Sequence, residues 1–295
     1  MAQPRELRRR IKSVENTRQI TKTMEMVATS KLKRAQDRVI AARPYAAALA
    51  EIIADLHDPA LAEQFPLLRR PKGGIKRAAV IGITSNRGLA GAFNANLIKE
   101  TIARIKALEQ DGAEVELHMI GKKGVGYFKY LGRAMATATQ EITDRPSMDD
   151  AIRVINPVVE RFEAGELDAV EVVFAKFVSP LSTPATTLRV LPVDVTVVDA
   201  DTPTPAGSAA TNYILRPSAV EIIGAVLPLY VRNAMYRALV ETAASEQGAR
   251  RTAMKNATDN AGEMLDDLRR TYNRARQAQI TQEISEIVGG AAALG

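Results

Sequence analysis

Apolar positions recur along this chain in two rhythms. From Arg5 to about Leu56, a three/four spacing links Leu7, Ile11, Val14, Thr21, Met24, Ala28, Ala35, Val39, Ala42, Ala46, Leu49, Ile53 and Leu56, which predicts one long helix. At about 1.5 Å per residue it makes a rod of roughly 75 Å. Pro44 lies inside and removes one backbone donor. Near the other end, Ala257, Ala261, Met264, Leu268, Tyr272, Ala275 and Gln279 recur by fours and threes within a proline-free stretch, residues 243–294. That is the narrow seam of a coiled-coil partner. Two thin, alanine-rich seams at opposite ends suit each other, and antiparallel pairing is the simplest arrangement.

The middle of the chain follows the second rhythm. Pro59, Pro66, Pro71, Gly73 and Gly74 punctuate a linker. Beyond it, strands are predicted at Ala78–Thr84, Glu114–Ile120, Ala134–Ile142, Ala169–Val178 and Thr187–Val193. Helices are predicted at Leu89–Glu109, Lys122–Leu131 and Met148–Ala164, the last capped by Ser147. Alternating strands and helices imply a three-layer α/β domain with a largely parallel sheet. The last two strands, with no helix between them, predict an antiparallel edge. The expected boundaries are an N-terminal helix over 1–57, a linker over 58–76, an α/β domain over 77–212 and a C-terminal helix over 213–295. The first and last form one discontinuous domain. Gly224 and Pro228 predict a bend early in the final helix.

Composition narrows the chemistry. There is no cysteine and there are only two histidines, so thiolate metal sites, disulfides and histidine-rich centres are excluded. His57 and His118 read as surface residues. No run reaches the roughly 18 apolar residues of a membrane span, and the basic N-terminus lacks the apolar block of a secretion signal. The expectation is a soluble, bacterial-type cytoplasmic polypeptide. Residues 1–57 carry twelve Lys or Arg against six Asp or Glu, whereas 58–216 and 217–295 are balanced. The whole net charge of +6 therefore sits in the first helix, which points to an acidic partner surface.

Candidate sites do not assemble into catalysis. Thr84–Gly91 offers glycines at a strand-to-helix junction but matches neither GxxxxGK[ST] nor GxGxxG, and Gly121–Gly126 has its glycines in the wrong order. The carboxylate pairs Asp149/Asp150 and Asp266/Asp267 are sequence neighbours on predicted helices, so their side chains diverge. No cofactor or metal is called for. On residue chemistry alone, an α/β nucleotide-binding enzyme and a coiled-coil adaptor that binds nucleic acid through its basic N-terminal helix stay open. Stacking aromatics are missing among Arg8, Arg9, Arg10, Lys12, Lys31, Lys33 and Arg34.

IKSVENTRQITKTMEMVATSKLKRAQ (Ile11–Gln36), RPYA (Arg43–Ala46), SEQGARRTAMKNATDNAGEML (Ser245–Leu265) and above all ITQEISEIVGGAAA (Ile280–Ala293) resemble the γ subunit of the bacterial F-type ATP synthase. TSNRGLAGAFN (Thr84–Asn94) and MIGKKG (Met119–Gly124) are similar to its central-domain motifs. The resemblance implies an antiparallel coiled coil of the terminal helices with a Rossmann-like α/β domain. It implies a central rotor shaft that transmits torque between a proton-driven c-ring and a catalytic ring of α and β subunits, with no active site of its own. The implied partners are α, β, ε and the c-ring, with δ only indirectly and with no nucleic acid or small-molecule substrate. The implied location is peripheral, on the cytoplasmic face of the bacterial inner membrane. Residue by residue, Met24 falls where the family meets the lever of β, and Arg276 and Gln277 where it meets a loop of the empty β subunit. Ile284, Ile287 and Val288 fall in the apolar tip held by the ring's bearing. Tyr213 falls in the foot facing ε and the c-ring, where Leu215 and Arg216 replace the usual aromatic and acidic residues.

Overall fold

The computed structural model describes residues 4–55, 64–71, 73–193 and 218–294, without the side chains of Pro4, Asp55 and residues 290–294. Two long helices bracket a sheet domain. They are α1 (Pro4–Asp55) and α5 (Ala219–Leu294), and each runs without a break through its internal proline, Pro44 and Pro228 respectively. The chain divides into two compact units, Met1–Thr29 with Arg250–Gly295, and Ser30–Ala249.

Within Ser30–Ala249 the elements are β1 (Arg77–Ile83), α2 (Phe93–Gln110), β2 (Glu114–Ile120), α3 (Lys122–Tyr130), β3 (Thr137–Thr139), α4 (Met148–Glu163), β4 (Ala169–Ala175) and β5 (Ala185–Leu191). Strand order is β3-β2-β1-β4-β5, parallel except for the antiparallel β4–β5 pair at one edge. β1 and β4 are near-continuous apolar runs because both their faces are covered. On β1, Ala79, Ile81 and Ile83 enter one core and Ala78 and Val80 the other. One face is packed by Leu97, Ile105 and Leu108 of α2 with Val125 and Phe128 of α3. Against the other lie Ile155, Val158 and Phe162 of α4, Ile53 of α1, and Ile223, Leu227, Val231 and Met235 of α5. Ser147 opens α4 with a capping box. Its hydroxyl accepts from Asp150 N–H, and the Asp150 carboxylate accepts from Ser147 N–H.

Several boundaries differ from expectation for identifiable reasons. α2 starts at Phe93 rather than Leu89 because Leu89 (φ 61°) and Gly91 (φ 57°) hold left-handed backbone that no α-helix includes. β3 shrinks to three residues, the only ones with ladder partners on β2. β4 ends at Ala175, and β5 runs two residues earlier than expected and stops before Pro192, which has no N–H to give. His118 is buried rather than exposed, its ring nitrogens placed 2.9 Å from Thr137 Oγ1 and 3.1 Å from Glu116 Oε1, so both polar atoms are satisfied. His57 lies outside the described residues.

The apolar β4 also carries Glu171, which is 1% exposed. Its carboxylate accepts from Arg104 of α2 through both Nε and Nη2, and from Nε and Nη2 of Arg189 on β5 at 3.1 and 3.0 Å. The bond to Glu171 raises the Arg104 pKa above its ordinary value. Glu171→Gln leaves two guanidinium groups facing a neutral amide. The expected loss is about 2–3 kcal/mol, below that of a fully buried pair because Arg189 is partly solvated. The urea midpoint of the full chain measures it, and an unchanged midpoint contradicts this account.

Candidate functional site

The first unit pairs the start of α1 with the later part of α5. Leu7, Thr21 and Ala28 are the buried positions on α1, with Ile11, Val14, Met24 and Glu25 half-buried; on α5 they are Arg250, Met254, Thr258, Ala261 and Leu265. The hydroxyls of Thr21 and Thr258 lie 2.8 Å apart, and Arg269 Nη2 donates to Glu15 Oε1 at 3.0 Å. Residue numbers fall on one helix as they rise on the other, so the pairing is antiparallel. The α5 seam is Met254, Thr258, Ala261, Leu265, Leu268, Tyr272 and Ala275, a strict four/three alternation. Met264, expected in the seam, is 55% exposed. Its place belongs to Leu265, because a heptad seam needs a step of four after Ala261. Gln279 is exposed as well.

Past Ala275 the helix goes on without cover. Every described residue from Arg276 to Gly289 is exposed, including Ile280 (48%), Ile284 (56%), Ile287 (71%) and Val288 (62%). Those four, at i, i+4, i+7 and i+8, form one apolar stripe. Local pairs such as Gln279 with Glu283 and Gln282 with Glu286, each at 2.9 Å, run along this segment.

In the other unit, the glycine-bearing loop after β1 is saturated by its own chain. Thr84 Oγ1 accepts from Gly124 N–H at 2.9 Å, and Asn86 Oδ1 accepts from Lys122 N–H at 2.9 Å. Ser85 carbonyl accepts from Lys123 N–H at 3.1 Å. The first amides of α3, which would otherwise face an anion, are thus committed. Gly121 (φ 95°) is required here, since a Cβ would collide with the Thr84 carbonyl. Among the described residues no cluster of His, Cys, Asp or Glu is arranged to hold a metal, and no helix is long and apolar enough to cross a membrane.

A family profile described as ATP synthase matches residues 3–294. The chain is 58% identical to the ATP synthase gamma chain of Gemmatimonas aurantiaca, over 100% of this chain and 99% of that one. It is 43% identical to the gamma chain of Frankia casuarinae, over 99% and 98%. The chain belongs to the ATP synthase γ-chain family. In fold it is similar to a chain of the Euglena gracilis mitochondrial ATP synthase (OSCP/F1/c-ring), with TM-score 0.65 at 20% identity, over 99% of this chain and 94% of that one. A chain from the central stalk and c-ring of the Tetrahymena thermophila mitochondrial enzyme matches with TM-score 0.60 at 22% identity, over 81% and 99%.

Of the residues singled out through this family, Met24 is half-buried on α1, one turn from Thr21. Arg276 and Gln277 are exposed on α5, roughly 30 Å along the helix from the level of Met24. Ile284, Ile287 and Val288 share the uncovered stripe. Met24 and the α5 positions therefore mark two separate places. Tyr213, Leu215 and Arg216 lie outside the described residues. Periodicity overlooked Ala238–Gly248 of α5, where every residue is buried although the run includes Glu241, Thr242, Ser245, Glu246 and Gln247. The available signal was a stretch of small and polar residues without a lysine.

The basic first helix is also partly committed within the chain. Lys31 Nζ lies 2.5 Å from Asp144 Oδ2, Lys33 pairs with Asp37, and Arg34 donates to Ser30. Burial alone would raise the Asp144 carboxyl, but the hydrogen bond and charge of Lys31, with the charge of Arg87, hold it below the ordinary range. Such an acid adds stability above its unfolded pKa of about 3.9 and loses it as pH falls through the lower folded value. Burial would likewise raise Glu116, yet its bonds from Arg161 and His118 hold it below its ordinary range. Asp144→Asn removes one contribution and leaves the other. The stability difference between wild type and this variant is expected to be full at about pH 6 and to shrink below about pH 4. Urea unfolding across a pH series reads it, and a difference that grows on acidification contradicts the assignment.

Proposed function

We propose that the chain is the central rotor shaft of an F-type ATP synthase. It transmits torque between a proton-driven c-ring and a catalytic ring of α and β subunits, for ATP synthesis or hydrolysis. Support comes from the uncovered end of α5 in a chain of this family. Every described residue from Arg276 to Gly289 is exposed, and in this reading other subunits hold the apolar stripe. In this reading Ile284, Ile287 and Val288 sit in the bearing, Arg276 and Gln277 meet a loop of β, and Met24 meets its lever. Tyr213, Leu215 and Arg216 belong to the foot facing ε and the c-ring. The chain contributes no catalytic group, and it works as a peripheral subunit on the cytoplasmic face of the membrane. Residues 1–57 and 213–295 act as the shaft and 77–212 as the domain attached to it.

The test is ATP-driven rotation of a probe fixed to the chain in the purified complex. Absence of rotation in a complex that hydrolyses ATP would overturn the reading. Ile284→Asp with Ile287→Asp gives a sharper result. The isolated chain is expected to keep its urea unfolding free energy within about 0.5 kcal/mol of wild type, since both side chains are exposed. Co-purification with α and β, or the rotation rate, is expected to fall several-fold. Full assembly and unchanged rotation would remove the tip from the mechanism.

A further inference from the structure

In an open parallel sheet, the crevice outside the strand ends at the point where strand order reverses is the usual ligand site. Here that point lies between β1 and β4, and the β1–β4 ladder ends at Gly82 and Val173. Lys176 N–H donates across the antiparallel side to Pro184 carbonyl. Ala175 and Phe177 therefore turn their peptide groups to the β1 side, past the end of its ladder.

Side chains of the long helices take up those groups. Thr242 Oγ1 accepts from Ala175 N–H at 3.3 Å, and Ser245 Oγ donates to Ala175 carbonyl at 3.1 Å. A Glu241 carboxylate oxygen accepts from Phe177 N–H at 3.1 Å. From α1, Arg43 Nη2 donates to Phe177 carbonyl at 3.5 Å. One turn further along α5, a Cβ on Gly248 would stand 3.2 Å from the Pro180 carbonyl in the β4–β5 turn, so helix backbone lies directly on that turn. Phe177 joins Leu32, Ala35 and Val39 of α1 and Val240 and Ala244 of α5 in a core of their own. Apolar packing alone allows a helix to slide or roll. Directional bonds from Glu241, Thr242 and Ser245 to the backbone groups of Ala175 and Phe177 oppose both motions.

We propose that this joint, and not the apolar packing around it, locks the rotation of α5 to the sheet, so that twist applied to the α/β domain passes into the helix. Glu241, Thr242, Ser245 and Arg43 are positioning residues for coupling. The inference rests on the rotor reading above and adds the place where load enters the shaft.

The experiment uses the purified complex with a probe on an exposed residue of the α/β domain, and reads angular fluctuations while the catalytic ring is stalled. Thr242→Val with Ser245→Ala nearly keeps shape and removes both bonds to Ala175, together with the bond from Thr242 to the Ala238 carbonyl within α5. Assembly and unloaded ATP hydrolysis are expected to stay at wild-type levels, while angular variance rises roughly twofold or more. Thr242→Ser, which keeps the acceptor, restores the wild-type width. Thr258→Val, which removes a buried hydroxyl pair elsewhere, leaves it unchanged. Equal variance in the double variant and wild type, or equal broadening by Thr258→Val, overturns the joint. If the double variant does not assemble, Ser245→Ala alone is read by the same criteria with a smaller broadening expected. A wild-type complex that hydrolyses ATP while its probe never rotates fails the rotor reading instead, so the two failures are distinguishable.

Discussion

A helix backbone satisfies itself, but in water a helix persists only where something covers its side chains. The 76 residues of α5 meet this constraint in three ways. Ala238–Gly248 is buried on every side, Met254–Leu265 along one stripe, and Arg276–Gly289 nowhere. Where cover ends, the helix is sustained by propagation from its packed part, at one hydrogen bond per added residue. Exposed i,i+4 pairs such as Gln279 with Glu283 add a few tenths of a kcal/mol each. The rest of the chain follows from the need to supply the first two kinds of cover. α1 provides the seam in one unit, and the sheet with α1 provides the enclosure in the other.

Both places where a nucleotide-binding sheet would receive its ligand are filled by the chain itself. The loop after β1 turns Thr84, Ser85 and Asn86 onto the amides that begin α3. The end of β4 is met by Glu241, Thr242 and Ser245. Buried peptide groups have to be bonded somewhere, and in this sheet the bonds go to side chains fixed on helices instead of to phosphate oxygens. An α/β architecture thus carries no binding function by itself. The same crevice that accepts a cofactor elsewhere serves here as a socket for a helix.

These two levels differ in how far sequence exposes them. The long three/four seams, the alternation of strands and helices, the antiparallel edge and the Ser147 cap are local or periodic, and all could be read directly. Apolar spacing places Met264 in the seam because helical phase drifts, and an apolar residue one position off is as visible as Leu265 at the true one. The uncovered stripe of α5 was legible through family motifs, since apolar periodicity looks the same whether or not a partner exists. Burial of Glu241, Thr242 and Ser245 was not legible. Their partners, Ala175 and Phe177, are backbone groups some seventy residues away, and backbone leaves no pattern in a sequence. His118 reads as a surface residue because its hydroxyl partner, Thr137, comes from the neighbouring strand.

The contrast between the joint and the tip has a physical reason. At the joint, one partner is always the same, so directional hydrogen bonds cost nothing in freedom and supply rigidity. A tip turning inside a ring of repeated subunits faces a different wall at each step. Ion pairs or hydrogen bonds there would favour some angles strongly over others. Apolar burial is non-directional and scales with area, so in the proposed bearing the stripe of Ile280, Ile284, Ile287 and Val288 would be held at every angle with little variation in energy. On the proposed reading, one helix carries polar, geometry-specific residues where it is gripped and apolar, geometry-tolerant ones where it turns.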